Sequence, residues 1–190
     1  MIVSNKRSPA DLNFQVKVKN INLEKCSSYK YLGVHIDENL KWKTHIDYIC
    51  EKVSKVCGMF AKLRHCIDFD MLKIVYHALV ASHLQYCNLA WGNADEEVLK
   101  PLQVLQNRII RIMTFAPFSC HNVKHLYDDL ELLDLHQTHK LSKAKFVYKH
   151  KNGILPNICN KYFNSAENEN GRNLTLFYTG GGQIEPPTLI

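Results

Sequence analysis

The sequence predicts an α+β fold: a small N-terminal antiparallel β-sheet followed by a mainly α-helical bundle and a disordered C-terminal tail. Apolar and polar residues alternate through the first 36 residues, as in half-buried strands. From about residue 44 the apolar residues recur every three or four positions, the spacing of one helical face. From about Ser165 that periodicity fails, and Asn, Glu, Gly and Pro dominate through TGGGQIEPPTLI.

In the N-terminal part, Phe14, Val16 and Val18 alternate with Gln15, Lys17 and Lys19. Asn20 suits a turn, Ile21 and Leu23 continue the alternation, and Tyr29 to Ile36 makes the next run. Counted through that run, Tyr29, Tyr31, Gly33 and His35 share one face, and Lys30, Leu32, Val34 and Ile36 the other. A glycine within a strand leaves backbone unpacked, so Gly33 predicts a bulge or the close approach of another group. Asp37-Glu38-Asn39 then ends the sheet, and Trp42 is expected to pack into the sheet–helix junction.

Thr44 with Asp47 three residues later has the form of a capping box, each side chain satisfying a free backbone donor. Behind it, Ile46, Ile49, Cys50, Val53, Val56, Cys57, Phe60 and Leu63 form one helical stripe. Asp68 or Asp70 is positioned to cap a second helix carrying Leu72, Val75, Leu79, Val80 and Leu84, with its stop near Trp91-Gly92. A third carries Leu99, Leu102, Leu105, Ile109, Ile112 and Met113. Pro101 places its regular start near Lys100, because Pro is tolerated in a first turn. A short helix near residues 122–130 and a longer one near residues 135–151 follow, stopped by Asn152-Gly153. The expected domains are thus a sheet segment over 1–42, a bundle over 43–116, further helices over 117–164 and a tail over 165–190.

Composition narrows the function classes. Apolar residues make up 46% of the 190, enough for a packed core. No run of eighteen apolar residues occurs and no apolar leader opens the chain, so the expectation is an intracellular protein, nuclear or cytoplasmic, without a membrane partner. The net charge of +6 is unevenly spread: +6 over residues 1–67, −4 over 68–134 and +4 over 135–190. A basic N-terminal third suits a polyanion partner. Seven scattered cysteines with no CxxC pair read as reduced, buried thiols rather than a disulfide framework.

No catalytic set emerges. His121 and His125, beside Cys120, and the pair His136 and His139 have spacings that bring two imidazoles to one helical face, but closely spaced cysteine pairs are missing. Solvated or capping histidines fit better. Tyr127-Asp128-Asp129 invites comparison with a magnesium-binding polymerase motif, yet its flanks have helical spacing and Leu126 stands where an aromatic is needed. No phosphate loop and no Ser or Cys nucleophile motif is present, and no metal is expected. The remaining chemistry is basic. Lys41 and Lys43 flank Trp42, and Lys52, Lys55, Lys62 and Arg64 lie off the first apolar stripe. Arg108 and Arg111 lie on the third helix, and Lys140, Lys143, Lys145, Lys149 and Lys151 crowd the last. Such residues either track a phosphate backbone or form an ordinary solvated face.

Four segments in order, YKYLGVHIDENLKWKTHI, KVSKVCGMFAKLR, LVASHLQYCNLAWG and LQVLQNRIIRIMT, resemble the C-terminal part of reverse transcriptases from non-LTR retrotransposons, jockey-like elements in particular. The resemblance covers roughly residues 1 to 160. It implies that Tyr31, Leu32, Gly33 and Val34 match the Leu-Gly motif of the primer grip, a β-hairpin that holds the primer end. The helices that follow match the thumb, which closes on the template–primer duplex. The expected partner is therefore an RNA–DNA or DNA duplex, together with the palm and fingers of the parent polymerase. In the family the magnesium-binding aspartates precede the YLGV motif, and this sequence begins after them. The expectation is thus a part of an RNA-directed DNA polymerase that is inactive alone and holds no cofactor, magnesium belonging to the parent enzyme. The alternatives are a non-functional remnant of a truncated element and a helical interaction module.

Overall fold

The computed structural model describes residues 17–18, 21–22, 26–117, 122–159, 163–167, 174–178 and 182–184. The chain divides into two compact units, Met1–Leu132 and Leu133–Ile190.

Among the described residues of the first unit, a small antiparallel β-structure precedes the helices, as the sequence predicts. Strand β1 (Lys17–Val18) pairs with β2 (Ile21–Asn22), and β3 (Ser28–Tyr31) pairs with β4 (Val34–Asp37). The run Tyr29–Ile36 is therefore a hairpin, with Leu32-Gly33 as its two-residue turn. Leu32 has φ +46° and Gly33 φ +83°, and two positive φ values are what a tight turn of primed type requires. The reversal redistributes the faces read by straight alternation. Tyr29 lies opposite Ile36 and Tyr31 opposite Val34, so these four share a face; Ser28, Lys30, His35 and Asp37 share the other.

Helix α1 (Lys43–Leu63) starts directly after Trp42, whose φ of +63° and carbonyl bond to Ile46 N at 2.9 Å make it the N-cap. Thr44 consequently falls inside the first turn and the predicted capping box does not form; Asp47 pairs with Lys43 Nζ at 3.2 Å instead. The predicted stripe is the buried one: Ile46, Ile49, Val53, Cys57 and Phe60 are buried, joined by His45.

Asp68 caps α2 (Phe69–Tyr76), its Oδ1 accepting from Met71 N at 2.9 Å. A π-helical turn over His77–Ala81 follows, then α3 (Ser82–Gln85). The wide turn rotates the apolar stripe, which turns Leu79 partly outward while Val80, Ala81 and Leu84 are buried. The helix expected to run on to Trp91 breaks at Tyr86-Cys87, where Cys87 takes φ +50°, and resumes as α4 (Asn88–Trp91). Asn88 Nδ2 donates to Leu84 O at 3.0 Å and Trp91 Nε1 donates to Tyr86 O at 2.9 Å, so side chains replace the backbone bonds lost at the break.

Helix α5 (Glu96–Met113) begins earlier than Pro101 suggested. Glu96 and Glu97 face the positive end of the helix dipole, and Asp95 O accepts from Val98 N and Leu99 N, so the helix is established before the proline removes one donor. Helix α1 packs along α5, and Ile46, Val53, Phe60, Leu102, Ile109, Ile110 and Trp91 are fully buried in the core of this unit. Helix α6 (Lys124–Leu130) contains the Tyr-Asp-Asp triplet: Tyr127 is buried while Asp128 and Asp129 are exposed, as the helix-surface reading expects.

The second unit contains α7 (Leu135–Lys151), with the bounds the sequence predicts. Asp134 Oδ1 accepts from Gln137 N at 2.7 Å and Gln137 Oε1 accepts from Asp134 N at 3.0 Å, a complete capping box. Gly153 follows the helix at φ +65°. Strand β5 (Phe163–Glu167) begins at the end of the stretch expected to be helical and runs into the expected tail, where β6 (Leu174–Tyr178) and β7 (Gly182–Ile184) follow; the three pair antiparallel in sequence order. The run Leu174-Thr175-Leu176-Phe177-Tyr178 is rich in strand-favouring residues. The rest of that expectation, and the readings of Phe14, Val16, Leu23, Cys120 and His121, lie outside the described residues.

Candidate nucleic-acid interface

The β3–β4 hairpin leans on α1 through its Lys30/His35 face. His35 N donates to His45 Nδ1 at 3.4 Å, and the His35 ring lies 4.9 Å from that of Tyr48. Lys30 Nζ sits 5.1 Å from the Tyr48 ring centroid and Lys52 Nζ 5.4 Å from it, so one phenol ring carries two ammonium groups. Neither lysine forms an ion pair among the described residues. Both ammonium groups thus lie over the same ring, and the charge of Lys52 also reaches the neighbouring Glu51 carboxylate.

The opposite face of the hairpin is half open. Tyr29 and Tyr31 are each 59% exposed and the turn residue Leu32 is 72% exposed, whereas Val34 is buried. Gly33 is approached by a side chain: a Cβ built there would lie 3.6 Å from Tyr86 Cε1. The Tyr86 hydroxyl donates to Leu32 O at 2.6 Å and fastens the hairpin tip to the α3–α4 break.

Lys41, Lys43, Lys52, Lys55 and Lys62 are all exposed, but their surroundings differ. Lys43 is paired with Asp47, and Lys55 with Glu51 at 2.6 Å, whose carboxyl is held below its usual pKa by that bond. Both pairs are solvent-exposed and worth little, yet they cancel charge locally. Lys52, Lys55 and Lys62 fall within an arc of roughly 80° around α1 at 100° per residue. Arg64 turns elsewhere, stacking over Phe115 at 4.4 Å and donating to Ile112 O at 3.3 Å, which ties the end of α1 to that of α5. Sequence reasoning did not single out Lys30, His35, Tyr48 or Tyr86. Tyr48 and Lys52 at i,i+4 were a legible pair; Lys30 and Tyr86 reach the site only through the turn and the helix break.

Among the described residues, no three His, Cys, Asp or Glu side chains gather as a metal site. Burial pushes the Cys50 and Cys57 thiols up, away from nucleophilic thiolate, although Cys66 and Cys87 are exposed rather than buried as expected. Among the described residues, no helix is long and apolar enough to cross a membrane.

No family model matches the chain, and no solved structure does. Curated polymerases do. The chain is 26% identical over 120 residues, 62% of its own length, to the probable RNA-directed DNA polymerase from transposon X-element of Drosophila melanogaster. It is 28% identical over 107 residues, 54% of its length, to the RNA-directed DNA polymerase from mobile element jockey of Drosophila funebris. It is also 26% identical over 107 residues to the retrovirus-related Pol polyprotein from type-1 retrotransposable element R1 4 of Nasonia vitripennis. The chain spans 13%, 12% and 27% of the lengths of these relatives, all products of non-LTR retrotransposons.

Proposed function

We propose that this chain serves an RNA-directed DNA polymerase as its primer grip and thumb, and that the β3–β4 hairpin with the first half of α1 touches the backbone of a template–primer duplex. The observation that carries the reading is the Tyr48 cluster, where Lys30 from the hairpin and Lys52 from the helix lie over one ring and neither forms an ion pair among the described residues. Phosphates replace the water around such ammonium groups and release condensed counterions, which makes binding strongly salt-dependent. Exposed Tyr29 and Tyr31 on the far face of the hairpin offer flat apolar surface to a sugar or a terminal base. The similarity to the retrotransposon polymerases supports the same assignment. Tyr31, Leu32 and Gly33 then present the hairpin tip to the primer, Val34 anchors it in the core, and Lys41, Lys43, Lys52, Lys55 and Lys62 line the approach. Arg64 holds α1 to α5 rather than meeting the duplex directly. Two-metal nucleotidyl transfer requires carboxylates fixed on magnesium, and that part of the reaction belongs to the polymerase palm.

A labelled RNA–DNA hybrid titrated with the purified chain tests this by fluorescence anisotropy. The expected result is binding at low salt that weakens steadily as salt rises. No binding at low salt, or binding indifferent to salt, overturns the proposal.

A further inference from the structure

Helix α7 carries a second concentration of charge with its own geometry. From residue 135 to residue 166 the sequence contains six lysines and no Asp or Glu. Lys149, His150 and Lys151 occupy the last turn, where cations offset the helix dipole. That explanation does not reach Lys140, Lys143 and Lys145, which lie one to three turns earlier. Burial and the neighbouring Lys140 hold the Lys143 pKa below its usual value, so the added charge is crowded. A shallow groove of about 340 Å³ runs along one side of the helix, lined by Ala144, Lys145, Tyr148, Lys149 and Ile154. Tyr148 is 64% exposed there and Ile154 60%. Lys145 and Lys149 are i,i+4 neighbours, rising about 6 Å along the axis, with the Tyr148 ring between them in sequence.

We propose that this groove binds single-stranded nucleic acid, with the Tyr148 ring stacked on an unpaired base and Lys145 and Lys149 meeting successive phosphates. An exposed aromatic beside cations is an arrangement by which single strands are held without sequence preference: each base has a stacking face and each nucleotide a charge. A duplex offers only its phosphates here, because its bases are already stacked on one another. An acidic protein or an anionic membrane would also satisfy the lysines, but only an unpaired base stacks face to face on the ring while its phosphates meet them. The site shares no residue with the hairpin surface and stands or falls independently of it.

The test uses the full chain and labelled single strands of uridine and of thymidine, followed by anisotropy across a salt series. Tyr148→Ala is expected to weaken binding of both about 5- to 150-fold, the range for losing one base stack. Tyr148→Phe is expected to bind as the parent does. Combined Lys145→Gln and Lys149→Gln is expected to lower the slope of log affinity against log salt by about 1.4, at about 0.7 per lost contact on a single strand. Lys30→Gln with Lys52→Gln should leave these effects intact, which separates the groove from the hairpin site. Equal melting temperatures verify that the exposed substitutions leave the fold alone. The proposal is overturned if Tyr148→Ala binds single strands as tightly as the parent. It is equally overturned if phosphatidylserine vesicles or polyglutamate bind as tightly as the single strands.

Discussion

Gly33 holds a backbone conformation that other residues enter at a cost, at φ +83° in the turn between Tyr31 and Val34. The space for a methyl group is present, since Tyr86 Cε1 lies at an ordinary contact distance of 3.6 Å. Gly33→Ala should therefore destabilise the fold by about 1–2 kcal/mol through backbone strain alone, with Gly33→Asn milder, as read by urea unfolding. Tyr86→Phe removes the hydroxyl bond to Leu32 O and should lower stability slightly by the same measurement. His45 supplies the pH dependence. Burial, and secondarily the charge of His35, pushes its pKa down to about 4 from an ordinary 6.5. The folded state thus keeps His45 neutral while the unfolded chain binds a proton more readily. Stability from this group is complete above about pH 6.5 and is lost as pH falls toward about 4. Melting temperatures of the parent and of His45→Gln, measured from pH 7 to pH 4, should converge as the pH drops.

Among the elements, the sequence placed α7 by its extent and its Asn152-Gly153 stop, α6 by its extent and the start of α2 at Asp68. Asp134 with Gln137 and Asn152-Gly153 delimit α7, and Asp68 starts α2; each acts within a few residues of itself. The misplaced boundaries rest on backbone states that carry no compositional mark. Trp42 caps α1 and Cys87 breaks the helix between α3 and α4 in left-handed conformations usually taken by Gly or Asn. The π turn at His77–Ala81 likewise shifts the stripe without any Gly or Pro to announce it. The candidate site was partly readable for the same reason. The helix lysines follow from spacing, whereas Lys30 and His35 come to Tyr48 only because a two-residue turn decides which face they share. Between elements, Gln106 links α5 to α2, its Nε2 donating to the Tyr76 hydroxyl at 2.8 Å in a fully buried setting. Gln106→Ala removes that donor and opens a cavity, so denaturant unfolding should show a loss of about 2–3 kcal/mol.

Over the whole molecule, charge is divided by region: basic over residues 1–67, acidic over 68–134 and basic again over 135–190. The acidic stretch includes the first turn of α5 and the exposed Asp128 and Asp129 on α6, while the unpaired lysines at Tyr48 belong to the hairpin and α1. The proposed duplex would meet the basic hairpin–α1 surface rather than the acidic stretch. The central claim is tested most directly by the salt dependence of RNA–DNA hybrid binding for the parent and for the Lys30→Gln/Lys52→Gln double variant. If both ammonium groups meet phosphates, the slope of log affinity against log salt should fall by about 1.8, at about 0.9 per duplex contact. A double variant with the parent's slope and affinity would contradict the account.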